Sequence, residues 1–244
     1  MNVLILKEVD ALQKDINKLR PFKAENLKIL KDYFRVGLTF SSNALEGNSL
    51  TESETKIVLE EGITIGGKPL KDHYEAIGHG EAFDKIFEIY KNKAFSESII
   101  KNLHQLFYNR IDKENAGAYR KIKVIISGSQ YPLPAPEKLS GLMKGFIKKS
   151  AMDRKKLHPV HFAAKAHKDF VFIHPFIDGN GRLARLIMNL ILIQEGYLIE
   201  IIPPILRPKY IAYLEEAHTN DMNFLNFIGE NLRETQRDYL RLLK

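Results

Sequence analysis

Apolar residues recur at helical spacing from the start of the chain, at Leu4, Leu12, Ile16 and Leu19, and Pro21 stops the pattern. A second helix is expected from Ala24 to Phe40, ending at the polar run Ser41-Ser42-Asn43. Thr51 with Glu54 three residues on forms a capping box, which starts a helix that runs through Leu59 and stops near Gly62. Tyr74, Ile77, Phe83, Ile86, Phe87 and Tyr90 give a helix over 70–90. Ser96 caps the next, which carries Ile99, Ile100, Leu103, Leu106 and Phe107 on one face and runs through Ile111. Pro136 leads into a helix with Leu139, Leu142, Met143, Phe146 and Ile147. His158-Pro159 opens another, with Pro159 near its first position, and its apolar end is Phe170-Val171-Phe172-Ile173. Leu186 to Ile193 is an unbroken apolar run and reads as a buried helix that Gly196 closes. Pro203-Pro204 enforces an extended linker, Tyr210 starts a further helix, and Met222 to Leu243 forms the last. One stretch breaks the helical pattern. Residues 119–136 are β-branched at Val124, Ile125 and Ile126, then turn-rich, which predicts a β-hairpin. The fold class is all-α with one small hairpin.

Composition narrows the function. The 244 residues suffice for one large helical domain, or one domain with an N-terminal extension, and 44% hydrophobic content can fill a core. Cysteine is absent, which removes disulfides and thiolate chemistry and agrees with a cytoplasmic location. No stretch is apolar over the ~18 residues that a membrane span needs, so no membrane partner is expected. The first residues are too short an apolar run for a signal peptide. The net charge of +7 comes from basic residues scattered among acidic ones. It therefore argues for a field that draws in a small anion or an acidic partner rather than for nucleic acid as the main partner. A homo-oligomer is compatible with the sequence, which does not fix the oligomeric state.

The chemistry concentrates in His174-Pro175-Phe176-Ile177-Asp178-Gly179-Asn180-Gly181-Arg182-Leu183-Ala184-Arg185. This is a loop between two core helices, and its second half opens the second one. A helix start presents free N–H groups and the positive end of the dipole, which favour phosphate. Gly179 and Gly181 let the backbone turn and approach a ligand, and their amides with the Asn180 side chain form a candidate anion nest. Arg182 and Arg185, three apart, share one helix face, and each can grip phosphate with two N–H groups. Asp178 suits a hard cation such as Mg²⁺, and His174 titrates near neutrality and can accept a hydroxyl proton.

This stretch matches the Fic family signature, His-Pro-Phe-x-(Asp/Glu)-Gly-Asn-Gly-Arg-x-x-Arg, at every specified position. The resemblance implies an all-helical Fic fold with a hairpin flap and an enzyme that moves AMP from ATP onto a target protein. It implies His174 as general base, Asp178 as Mg²⁺ ligand, and Asn180 with the neighbouring amides on the α and β phosphates. Arg182 would reach the β-phosphate, Arg185 the γ-phosphate, and Phe176 would anchor the loop. The relative Doc, a phosphorylating enzyme, has Lys where this chain has Gly181, which favours AMP transfer.

Ser42-x-x-x-Glu46-Gly47 reads on pattern alone as a short helix, capped by Asn43 and ended by Gly47. It also resembles the inhibitory motif (Ser/Thr)-x-x-x-Glu-(Gly/Asn) of many Fic proteins, whose Glu pairs with the last Arg of the signature, here Arg185. The resemblance divides the chain into N-terminal helices with the inhibitory motif (1–94) and a catalytic core (95–244). It places the flap over the active site, where a target's Tyr, Ser or Thr hydroxyl would meet His174. Ser129 and Gln130 fall at the flap tip, and Tyr210 is the candidate contact for the adenine base. Gly62 to Lys68 imitates P-loop spacing, but Pro69 stands where Ser or Thr would hold Mg²⁺. His161 and His167 lack a zinc-ligand spacing and take structural roles. Two alternatives stay open: removal of AMP or use of another diphosphate-containing donor, and an inactive ATP-binding regulator.

Overall fold

The computed structural model describes residues 1–19, 24–93 and 95–242. Pro21 and Leu243, expected to end the first and last helices, lie outside them. The described residues form helices α1 (Val3–Lys18), α2 (Ala24–Ala44), α3 (Glu52–Glu61), α4 (Leu70–Ile89) and α5 (Glu97–Tyr108). After a long loop come α6 (Leu139–Lys156), α7 (Pro159–Ile173), α8 (Asn180–Gln194), α9 (Arg207–Glu216) and α10 (Met222–Leu242).

The antiparallel pair α7–α8 is the centre of the molecule. Leu183, Ala184, Leu186, Ile187, Met188, Leu190, Ile191 and Leu192 of α8 are all fully buried. A helix apolar on every side must be surrounded, and α2, α4, α5 and α7 surround it. α6 and α10 pack on the far side of α7, and α1 lies along α10. One apolar core runs from Ile5 and Val9 through Phe34 and Leu38 to Phe227 and Leu232.

The caps form as the sequence requires. Thr51 accepts the N–H of Glu54 while Glu54 accepts that of Thr51, and Gly62 ends α3 in the left-handed region at φ 68. Ser96 accepts the N–H of Ile99 at the start of α5.

Three expectations are corrected. The buried face of α1 is Ile5, Val9, Gln13 and Ile16, whereas Leu4 and Leu19 are exposed. α1 meets α10 along the first set, where Gln13 accepts from Gln236 and from the Leu198 N–H, so a polar side chain sits on the stripe. α2 does not stop at Phe40 but continues through Ala44, so Ser42 and Asn43 belong to its last turn and no separate short helix is capped by Asn43. The turn 45–47 then closes on α2 through Leu45 N–H to Ser41 O and Gly47 N–H to Ala44 O.

The third correction is the flap. Residues 119–136 contain turns and bends but no strand. Alternate residues of a strand send their N–H groups to the same side, and Pro132, Pro134 and Pro136 remove every donor from one side of the returning arm. Ile125 is 92% exposed, so the outgoing arm has no core face to hold it flat. A two-stranded hairpin without such a face is marginal. The segment is an irregular flap with one tight turn, Ser129 N–H to Ile126 O.

Candidate active site

His174 is the C-cap of α7. It precedes a proline, which pushes a residue towards extended backbone, yet its φ of 49 and ψ of 58 are left-handed. Such a conformation in a residue with a β-carbon is held by its surroundings. Here the His174 N–H donates to Phe170 O, and the carbonyl accepts from Arg120 Nε at 2.9 Å. The imidazole Nδ1 lies 3.3 Å from Val171 O, which can only accept. Nδ1 therefore carries the proton, and Nε2 keeps its lone pair. Burial holds the imidazole down at about 4, with the Arg120 charge adding to it against the Val171 bond, Glu46 and Asp178. The ring is neutral at pH 7 and competent as a base.

The loop after His174 is fastened from inside. Phe176 is fully buried and stacks on His104 at 3.8 Å. The Asn180 amide accepts the Phe176 N–H and donates to the Phe176 carbonyl, at 3.0 and 2.9 Å. That side chain is committed to the loop, so the donors available to an anion here are backbone amides. The first ladder bond of α8 runs from Leu183 N–H to Gly179 O, leaving the amides of Asn180, Gly181 and Arg182 without an acceptor inside the helix. Gly179 sits at φ 76, and a β-carbon on it would lie 2.5 Å from Phe107. His104 takes the Gly117 N–H on Nδ1, so its Nε2 donates to Asp178 O at 3.2 Å. The Asp178 carboxylate is 45% exposed at the mouth of the loop, with Oδ1 on the Gly179 N–H.

Among the described residues no three His, Cys, Asp or Glu side chains gather as a metal cage. A single half-exposed carboxylate beside free amides fits Mg²⁺ that arrives with phosphate oxygens and water as its other ligands.

The two arginines are buried and paired. Arg182 meets Glu75 of α4 at 2.6 Å, both side chains 7% exposed or less, and lies over the Phe107 ring at 4.4 Å. Arg185 is 1% exposed. Its Nε and Nη2 donate to Oγ and the carbonyl of Ser42 at 2.9 and 2.8 Å, and Nη2 also donates to Glu46 Oε1 at 2.7 Å. Its Nη1 reaches Tyr210 Oη at 3.3 Å, and Tyr210 passes on to His167 Nε2 at 3.0 Å. Burial pushes the Glu46 carboxyl up, but Arg185 and then Arg182 hold it below the usual carboxylate range. The same oxygen, Glu46 Oε1, lies where a β-carbon on Gly181 would have to go.

His174, Gly181, Glu46 and Tyr210 line one cavity, closed above by Ile126, Ser129, Tyr131 and Leu133 of the flap. The flap tip is tied down. Ser129 Oγ and the Gln130 N–H both donate to Glu215 of α9, at 2.9 and 2.7 Å. His218 is stacked between Tyr131 and Phe172, at 3.8 and 3.7 Å.

The structure places His174, Gly181, Glu46, Tyr210 and Ser129 in the lining of one cavity. Asp178, Gly179, Asn180 and Arg182 belong to the adjoining loop and first turn of α8, and Arg185 bonds Glu46, Tyr210 and Ser42 beneath the lining. Gln130 is exposed and touches Glu215 through its backbone. Sequence reasoning missed Glu75, His104, Arg120 and Glu215. His104 carried a signal, a polar residue on the apolar face of Ile100, Leu103 and Phe107.

This arrangement defines a helical domain with free backbone amides at a helix start, and residues 94–192 match the family model described as "Fic/DOC family". The chain belongs to the Fic family. It is 35% identical over 210 residues to a protein adenylyltransferase Fic of Nematostella vectensis, and 34% identical over 204 residues to that of Drosophila persimilis. Each match covers 82% of this chain but 48% and 40% of the relative, so the chain spans less than half the length of these curated relatives. Among solved structures it resembles a Fic-domain-containing signaling protein from Bacteroides thetaiotaomicron, with TM-score 0.84, 28% identity, and coverage of 96% of this chain and 95% of that one. It also resembles Fic-1 from C. elegans, with TM-score 0.88, 26% identity, and coverage of 98% and 72%.

Proposed function

We propose that this protein transfers AMP from ATP to a hydroxyl side chain of a target protein and releases pyrophosphate. The observation that carries this reading is the shared cavity, in which a neutral imidazole with a free Nε2 stands beside Gly181 at the open N-terminus of α8. The amides of Asn180, Gly181 and Arg182 hold the phosphates. His174 Nε2 accepts the proton of the target hydroxyl as its oxygen bonds to the α-phosphorus, and the bond from phosphorus to the bridging oxygen of pyrophosphate breaks in line. Mg²⁺ held through Asp178 supplies neutralisation of charge on the phosphates when it is bound. The flap presents the target, whose hydroxyl is that of a Tyr, Ser or Thr.

The resting state is inhibited. Glu46 and Ser42 occupy the Arg185 guanidinium, which a γ-phosphate requires, and Glu46 Oε1 fills the space next to Gly181. Incubating the Glu46→Gly protein with ATP labelled on its α-phosphate, Mg²⁺ and a cell lysate is expected to label protein, and Glu46→Gly with His174→Ala is expected to label none. Label that survives the loss of His174 overturns the base assignment. A total absence of label with Glu46→Gly favours an inactive ATP-binding regulator.

A second reading rests on the Glu46 carboxylate, which lines the cavity with His174 and is 38% exposed. From there it can orient a water for removal of AMP from a modified target. Loss of label from a pre-modified target with wild-type protein, and not with Glu46→Gly, selects that reaction. The mass added to the target separates AMP from other donors.

A further inference from the structure

We propose that Arg120 is a positioning residue that ties both arms of the flap to the peptide carrying the His174 imidazole, so that flap and base move as one unit. This rests on the AMP-transfer reading only for its consequence; the geometry stands apart from it.

Arg120 is 3% exposed, and among the described residues no carboxylate lies within ion-pair distance of it. A buried guanidinium without a counter-charge is costly unless its donors are satisfied. They are satisfied by three carbonyls from three separate segments. Nε donates to His174 O at 2.9 Å, Nη1 to Ile122 O on the outgoing arm at 3.0 Å, and Nη2 to Pro134 O on the returning arm at 2.6 Å. The backbone joins in, because the Arg120 N–H donates to Pro175 O at 2.9 Å. Side chain and main chain of one residue thus grip the two successive carbonyls of the His174-Pro175 turn.

The flap needs this clamp. It has no strand ladder, so its arms are held at the base by Arg120 and at the tip by Glu215. His174 needs it too, since its left-handed backbone before a proline requires external support. Only a planar fork with five donors serves three carbonyls at once; an ammonium is a compact point charge that cannot span them. The charge has a second effect. Arg120 faces the imidazole as the cation that disfavours its protonation, against Glu46 and Asp178, which favour it. A docked target pulling on either arm therefore pulls on the carbonyl of the base.

The clamp and the charge separate with two variants, Arg120→Lys and Arg120→Met, each made in the full chain with Glu46→Gly. With Arg120→Lys, exchange of the Ser129, Gln130 and Tyr131 amides is expected to accelerate about 10-fold or more, while the NMR titration of the His174 ring stays near its starting value. With Arg120→Met, exchange accelerates similarly and the ring titration moves up. In both, kcat for target modification is expected to fall about 10- to 100-fold with KM for ATP within about 3-fold. Unchanged exchange at the flap tip in a folded Arg120→Lys protein overturns the clamp. If Glu46→Gly transfers nothing, the function fails, while exchange and titration still decide the proposal. If Arg120→Met does not fold, Arg120→Lys carries the test.

Discussion

The imidazole of His174 shows how its surroundings fix the protonation state of a single residue. Burial lowers its proton affinity to about 4, so it stays unprotonated well below neutrality. Transfer by the Glu46→Gly protein is therefore expected to hold its rate from pH 8 down to about 5 and to be half lost near 4; the measurement is labelled-ATP transfer against pH. A midpoint near the unperturbed 6.5 would mean that the ring is solvated in the working state. Gly179 is the other residue on which the loop depends. Its φ of 76 and the closeness of Phe107 exclude a β-carbon. Gly179→Ala is expected to destabilise the fold by about 2 kcal/mol or more, read by denaturant unfolding. That loss comes with weaker nucleotide binding, because the same turn aims the free amides of α8.

At the scale of elements, the proposed brake belongs to α2 and the turn after it. The last turn of the helix delivers Ser42, and the turn behind it delivers Glu46, both to Arg185. Ser42→Ala removes one bond to a buried charge but leaves the carboxylate. It is expected to release part of the activity that Glu46→Gly releases fully, with both proteins compared in one transfer assay. Thr51→Ala removes the capping box of α3 and is expected to cost about 1 kcal/mol by denaturant unfolding, without effect on transfer. The helices themselves were legible, because caps such as Thr51 and Ser96 and the apolar run of α8 are local signals. The signature loop was legible because residue types at fixed spacing report a shared chemistry. Arg120 and His104 were not, since they act on backbone carbonyls 54 and 74 positions away, and a carbonyl has no sequence signature. The end of α2 was misjudged for a related reason. Ser41 and Ser42 look like helix breakers until the Arg185 guanidinium and the Ile202 carbonyl take up their hydroxyls. The hairpin expectation weighed the β-branched outgoing arm and gave too little weight to three prolines in the returning one.

Across the whole molecule, four buried histidines are stored in uncharged form. Burial holds His79 and His167 at about 3, and His104 and His174 at about 4. Unfolded, each takes up a proton near 6.5, so the unfolded chain binds more protons below that pH. The stability from these four rings is complete above about 6.5 and is lost as the pH falls through about 4 and then about 3, at up to about 1.4 kcal/mol per pH unit for each ring. Glu200 acts in the opposite sense. Burial raises its carboxyl to about 8, so its contribution is complete below about 4.5 and is lost as the pH rises through 8. Thermal unfolding is expected to show greatest stability near pH 6.5, a steep acid flank and a shallow alkaline one. Glu200→Gln is expected to flatten the alkaline flank and to steepen the acid one between about pH 4.5 and 6.5. The order of the chain adds a temporal consequence to the Arg185–Glu46 pair. Translation delivers Glu46 more than a hundred residues before His174, and nascent domains assemble from the amino end. On the proposed reading of Glu46, the brake is made before the loop that it holds, and a newborn molecule passes through no unguarded interval.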